Sequence, residues 1–313
     1  VVTWDGSSST DYETAANWDT NSVPTSSDDV IIPDTSSINN CELPSSGANP
    51  QNVNSFKIEA NGTVIGNDIA IRVYGENGSG FAVDNDGIIS GNLNLIIKTS
   101  STTTCDFNGT SGNFKNVEID HASADVHLSG NTTFDGNLTI TAGTFDCSNE
   151  GGDSRNLTVT GNTSIGPGSG SADQATLTCN ASTVSLGSGH TSSHALIVNQ
   201  GGTFVGGSGA HTIGSIDVKN NSNAKCTLTS GNTTVDSEKT GDDRNIVIAS
   251  SSTFAHGSGT IITTFAGTTH MDVDKTLNNL TINHASAVHK LSDSLDMAGN
   301  FKITVGEFQP NGR

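Results

Sequence analysis

Short apolar segments recur along this chain with a shared spacing. One rank passes through Ile119 in NVEID, Leu138 in NLTIT, Leu157 in NLTVT, Leu177 in ATLTC, Leu196 in ALIVN and Ile216 in SIDVK. A second rank, Val126, Phe145, Ile165, Val184 and Phe204, keeps the same spacing. Within each segment the residues alternate. Leu138 and Ile140 fall on one side of a strand, Thr139 and Thr141 on the other. Two ranks with one period predict an all-β chain, a parallel β-solenoid (β-helix) of about 19–20 residues per turn. On that reading Leu138, Leu157 and Leu177 pile into one column. At about 4.8 Å per stacked strand, roughly thirteen turns make a rod on the order of 60 Å long.

The pattern divides the chain in two. Residues 1–50 hold both tryptophans, Trp4 and Trp18, with Tyr12 and four of the six prolines. An open solenoid core needs an atypical unit over its end, so this segment is expected to be an N-terminal cap. Within it, SSSTDYETAANW suits a short helix and VIIP a strand ending at Pro33. Residues 51–313 form the repeat domain, with FKIEA, GTVIG, IAIRV, GIISG and LNLIIK as its first strands. A coarser repeat is superimposed: 116–145 recurs at 279–308, as NVEIDHASA and NLTINHASA show. His121 and His284, Gly143 and Gly306, and Phe145 and Phe308 are its equivalent pairs. Stretches 98–113 and 219–275 are less regular and are expected to hold longer turns. The last residues, GEFQPNGR, stop within a repeat, which suggests continuation beyond Arg313.

The opening TWDGSSSTDYETAANWDTNSVPTSSDDVIIP resembles a recurring module, W-G, N-W, then V-P-x-x-x-D-x-V-x-I-P. It is similar to the start of large secreted surface proteins of Bacteroidetes-type bacteria and of virion structural proteins of marine phages. The body, with NLTINHAS, GNLTITAG and NLTVTGN, resembles the repeat arrays that follow that start in the phage proteins. The resemblance implies an extracellular or virion-surface structural role, often adhesion, without shared catalytic residues.

Composition narrows the function. The chain carries 32 acidic and 13 basic residues, a net charge of −19, which disfavours nucleic acid and anionic membranes as partners. No apolar run is long enough for membrane insertion. Expected partners are copies of the chain itself, other virion or surface proteins, or cell-surface glycans. Five cysteines, at 41, 105, 147, 179 and 226, form no C-x-x-C. Cys147 and Cys179 share the parity of Phe145 and Leu177 and should point inward as small buried thiols.

Candidate chemistry is sparse, and no enzyme or cofactor is expected. Asp28, Asp29, Asp84 and Asp86 are the acidic spots that suit Ca²⁺, although Asp and Asn also fill turns. The alternative is an extracellular carbohydrate-binding or polysaccharide-cleaving β-helix, whose acid/base work needs clustered carboxylates. Asp242 and Asp243, with Lys239 and Arg244, are the best such constellation. His190 and His194 lie four apart in a Ser/Gly-rich loop, too few ligands for zinc. His121 and His284 read as turn residues copied by the duplication. A threonine rank for ice binding would run Glu118, Thr139, Thr158, Thr178, Ile197, Asp217, broken by charge and isoleucine. The Asn-X-Ser/Thr sequons, such as Asn61, Asn108, Asn131 and Asn180, follow from composition.

Overall fold

The computed structural model describes residues 1–45, 49–170, 174–292 and 294–310. Arg313, where continuation is expected, lies outside them. The chain is about 50% strand and 1% helix, and its strands pair in parallel into a β-solenoid of about 12 turns. No helix among the described residues is long and apolar enough to cross a membrane.

Each coil has three faces, visited in a fixed order. The first face stacks Asp29–Ile32, Ser55–Ile58, Phe81–Asn85 and Thr102–Asp106, then 125–128, 143–146, Ala175–Thr178 and Gly202–Val205. The second stacks Thr132–Phe134, Leu157–Val159, Val184–Leu186, His211–Ile213, Asn232–Val235 and Thr260–Thr263. The third stacks 117–119, 138–140, Thr163–Ile165, Leu196–Val198, Ile216–Val218, Arg244–Ile248 and Thr268–Val273.

The third face shows why the sequence folds this way. Its inward column reads Val53, Val73, Ile97, Ile119, Ile140, Ile165, Val198, Val218, Ile248 and Val273. Every member is β-branched and buried. Such side chains have a restricted χ1 that suits extended backbone, so identical rotamers stack rung on rung. The neighbouring column begins with Gln51 and carries a second polar member, Thr163, between Leu138 and Leu196, whose buried hydroxyl has no hydrogen-bond partner.

This register corrects the spacing expected from sequence. Leu138, Leu157 and Leu177 are all buried, but on the third, second and first faces respectively. Leu138 stacks on Val117 and Thr163, not on Leu157. Coil length varies because corner loops are free to lengthen. Val126 meets Phe145 across a short coil, whereas Thr163 meets Leu196 across a much longer one. From Leu138 to Leu196 the step that recurs in the sequence marks two thirds of a turn. The long repeat is also rotated. Its first copy, Val117–Leu128, bends from the third face to the first, while the second, Asn279–Leu291, bends from the second face to the third. The bend itself is conserved in detail. Ser123 N donates to His121 Nδ1 and Ser286 N to His284 Nδ1, each at 3.2 Å. Gly143 and Gly306 follow with φ of 95° and 108°, and a Cβ at either would strike the carbonyl of His121 or His284.

At the N-terminal end the ladders run back through residues 1–50, since Val2–Thr3 pairs with the strand Asp29–Ile32, which pairs with Ser55–Ile58. Trp18 packs edge-on against Trp4 and Tyr12, all three buried. The expected helix is a single 3-10 turn, Ala15–Asn17. At the other end Phe301–Gln309 is an edge strand with Phe301, Ile303 and Val305 exposed.

Two histidines sit within the core. His211 stacks between Val184 and Thr233, and His289 between Thr269 and Phe308. Neither has a hydrogen bond of normal geometry on either ring nitrogen. Burial pushes both down to about 4, the Gly206 backbone opposing part of the shift at His211. Their folded pKa lies below the unfolded value near 6.5, so their contribution is intact above that pH and is lost as pH falls to about 4. Each protonation costs on the order of 3 kcal/mol. Chemical denaturation at pH 7 and pH 4 should show a large acid loss in the parent chain and a much smaller one in the H211L/H289L double variant. Equal losses in both would refute this assignment.

Candidate functional site

The cleft with the densest chemistry lies on the third face, where two corner loops fold over the sheet. Residues 187–195 lead into Leu196–Val198, and 236–243 lead into Arg244–Ile248. The loops are tied together. Ser188 Oγ hydrogen-bonds the Asp236 carboxylate, which also accepts from Gly189 N at 3.2 Å, and Thr240 N donates to Thr191 O at 2.9 Å. Together they flank a cleft of about 430 Å³ lined by His194, Asp217, Lys239, Asp242, Arg244 and Asp272 among others.

The imidazole of His194 is buried at its inner edge. Its Nε2 lies 3.5 Å from Asp242 Oδ2 and 3.9 Å from Asp217 Oδ2, and its Nδ1 lies 3.3 Å from Ser215 Oγ. Burial is the largest influence and lowers the His194 pKa, against the opposing pull of Asp217 and Asp242. Asp217 is itself only 6% exposed and is clamped by Lys219. Asp242 meets Lys239 at 3.5 Å and Arg244 at 3.2 Å. Burial works to raise the Asp242 pKa, but Arg244, Lys239 and His194 outweigh it and hold the carboxyl below its usual range. Arg244 also bridges to Asp272 at 3.2 Å. The result is a charge-compensated network: each carboxylate in contact with His194 also has a cationic partner. It can orient polar or charged groups of a ligand, and it fastens two loops to the sheet.

Three of the four residues of the constellation expected from sequence are therefore assembled. Lys239, Asp242 and Arg244 line the cleft. Asp243 does not: it occupies a left-handed turn position, φ 51°, and its carbonyl accepts from His270 N and the Thr269 hydroxyl. His194 and Asp217 were missed as site residues. The sequence shows His194 only as one of two loop histidines and Asp217 only as a break in a threonine rank. His190 stays outside, its Nε2 within reach of the Ser192 and Ser193 hydroxyls.

The Ca²⁺ candidates separate. Asp84 and Asp86 come together on the first face and are joined by Asp106, with carboxylate oxygens within 4.8 Å of one another. Register explains this, because Asp84 stacks on Asp106. Lys57 Nζ already sits 2.7 Å from Asp84, so a cation there would compete with it. Asp28 and Asp29 are used elsewhere. Asp28 accepts from Thr25 N and Oγ1, which lowers its pKa, and Asp29 accepts from Asn54 and Ser55. The threonine rank likewise disperses, since Thr139, Thr158 and Thr178 lie on three different faces. A true outward hydroxyl row runs on the second face, Thr133, Thr158, Ser185, Thr212 and Thr234, before Ile262 breaks it.

The cleft network generates a stability prediction. Asp217→Ala leaves Lys219 without its carboxylate and removes one of the two carboxylates beside the buried His194, and should cost about 2–3 kcal/mol by denaturant titration. Asp125→Ala, which removes the pair with His127 and one exposed hydrogen bond from the Thr102 hydroxyl, should change stability by less than about 1 kcal/mol. Equal effects would mean that the cleft does not fasten the loops. Comparison with known protein families, curated proteins and solved structures finds no match to this chain.

Proposed function

We propose that this chain is a non-catalytic structural and display scaffold at an extracellular or virion surface, of the kind found in a phage fibre, capsid decoration or cell-surface adhesin. The observation that carries the reading is the unbroken column of ten β-branched residues on the third face. It supports a rigid rod whose length comes from stacked coils and whose variable parts are corner loops. The net charge of −19 supports a role at a solvated surface and argues against nucleic acid. The buried Trp4, Tyr12 and Trp18 cluster supports an N-terminal cap over one end. At the other end, exposed Phe301, Ile303 and Val305 support cover by further turns of the solenoid or by a partner chain. Cell-surface glycans are the ligand class for the exposed loops.

A second reading rests on the cleft. Asp217, Asp242 and His194 in one groove would suit a polysaccharide-binding or polysaccharide-cleaving module, although Asp242 is held ionised by its cations and so makes a poor general acid. One assay separates the two. The purified chain is incubated with a panel of neutral and acidic polysaccharides while new chain ends are measured. The scaffold reading expects no product, with retention of labelled protein on intact cells or particles. Turnover that disappears in Asp242→Asn and His194→Ala would replace it with the enzymatic reading.

A further inference from the structure

All five cysteines are buried and unpaired. Two of them occupy consecutive rungs of one ladder. The pairing of 143–146 with Ala175–Thr178 runs in register from Gly143↔Ala175 to Asp146↔Thr178. The next residue on each side is a cysteine, Cys147 and Cys179. The hydrogen bonding continues past the strand ends: Cys147 N donates to Thr178 O and Cys179 N to Val205 O, each at 2.8 Å. Parallel rungs lie about 4.8 Å apart, inside the roughly 4.4–6.8 Å window of Cα separations that a disulfide spans.

Direction and surroundings agree with the spacing. Both thiols point into the core with no exposed surface. Burial is the main reason that the Cys179 pKa stands well above its ordinary value, and contact with the Cys147 thiol adds to it. The rung beyond Cys179 is Gly206, because Thr178 pairs with Val205, so no side chain crowds Cys179 from that side. The other nearby thiol is Cys226, but it stacks on Phe204, which aligns with Leu177. Cys226 is therefore two rungs from Cys179 and three from Cys147, and set two residues along the strand.

We propose that Cys147 and Cys179 form a disulfide that locks consecutive coils when the chain folds in an oxidising medium. The oxidant is a low-molecular-weight disulfide of the glutathione class. One cysteine thiolate attacks the oxidant's S–S bond, forming a mixed disulfide and releasing one thiol. The second cysteine thiolate then attacks the protein sulfur of that mixed disulfide, expelling the second thiol. Two protein thiols lose two protons and two electrons, and one oxidant disulfide becomes two thiols. The step belongs to the moment of coil docking, before burial raises the thiol pKa values and shuts out the reagent. Once made, the bond is sealed from reductants in the native coil. This inference does not depend on the display function proposed above.

The test is a thiol count on the whole chain. Protein folded in a reduced/oxidised glutathione buffer is denatured without reductant, blocked and counted. Three free thiols are expected, against five for protein folded in excess reductant. Tryptic digestion should yield 116–155 cross-linked to 156–219. The oxidised form should melt several degrees higher than the reduced form, and that difference should vanish in Cys147→Ser but persist in Cys105→Ser. The count needs no variant, and protein produced in an oxidising compartment serves equally well. Five free thiols after oxidative folding, or a cross-link through Cys226, would overturn the proposal.

Discussion

The structure depends on one constraint: every coil is buried only by the coils on either side of it, through parallel strands held in register. No second layer exists to repair a mismatch. An inward position must therefore carry a side chain whose shape repeats from rung to rung, and one column of the third face meets that demand with valine and isoleucine alone. β-Branched residues lose little on being fixed in a strand, and in this column they fill the interior that buried phenylalanines such as Phe134 and Phe145 occupy elsewhere. This is how a chain with only 32% hydrophobic residues builds a core along its whole length.

The same constraint leaves the corners free. A loop between two faces can lengthen without disturbing the ladders, so successive coils differ in length while the inward columns stay aligned. Chemistry gathers accordingly. The charged network of His194, Asp217, Asp242 and Arg244 exists because two long corners, 187–195 and 236–243, fold over one face. Inward positions tolerate only small departures, such as Thr163, Cys147, Cys179 and the two unpartnered histidines. The buried histidines among them are where acid acts on the rod.

Much of this was legible in the sequence, within a definite limit. Alternation in NLTIT and NLTVT shows strands with one greasy side, and shared spacing shows that they repeat. What spacing does not reveal is which strand stacks on which. All three faces use the same residue types, so Leu138 and Leu157 look like one column although they lie on different faces. Corner loops of unequal length then turn a two-thirds-turn step into an apparent period. The duplicated HAS bends kept their local geometry because His121 and His284 each cap their own turn, whereas their place on the coil moved by one face. The cleft was half legible for a similar reason. Lys239, Asp242 and Arg244 are neighbours in sequence, but His194, in a separate loop, and Asp217, on the strand Ile216–Val218, reach them only through folding. Asp106 joins Asp84 and Asp86 through the ladder alone.

The central claim is the three-faced register, and outward positions on the third face test it directly. Thr139 and Ser164 are stacked neighbours on successive coils, while Thr139 and Thr158 lie on different faces. Nitroxide labels can be introduced as surface cysteines at these positions, since all five native thiols are buried. The three-faced register predicts strong spin–spin broadening for the 139/164 pair and little for 139/158. Broadening in the 139/158 pair and none in 139/164 would contradict it and restore a uniform coil with the spacing read from the sequence.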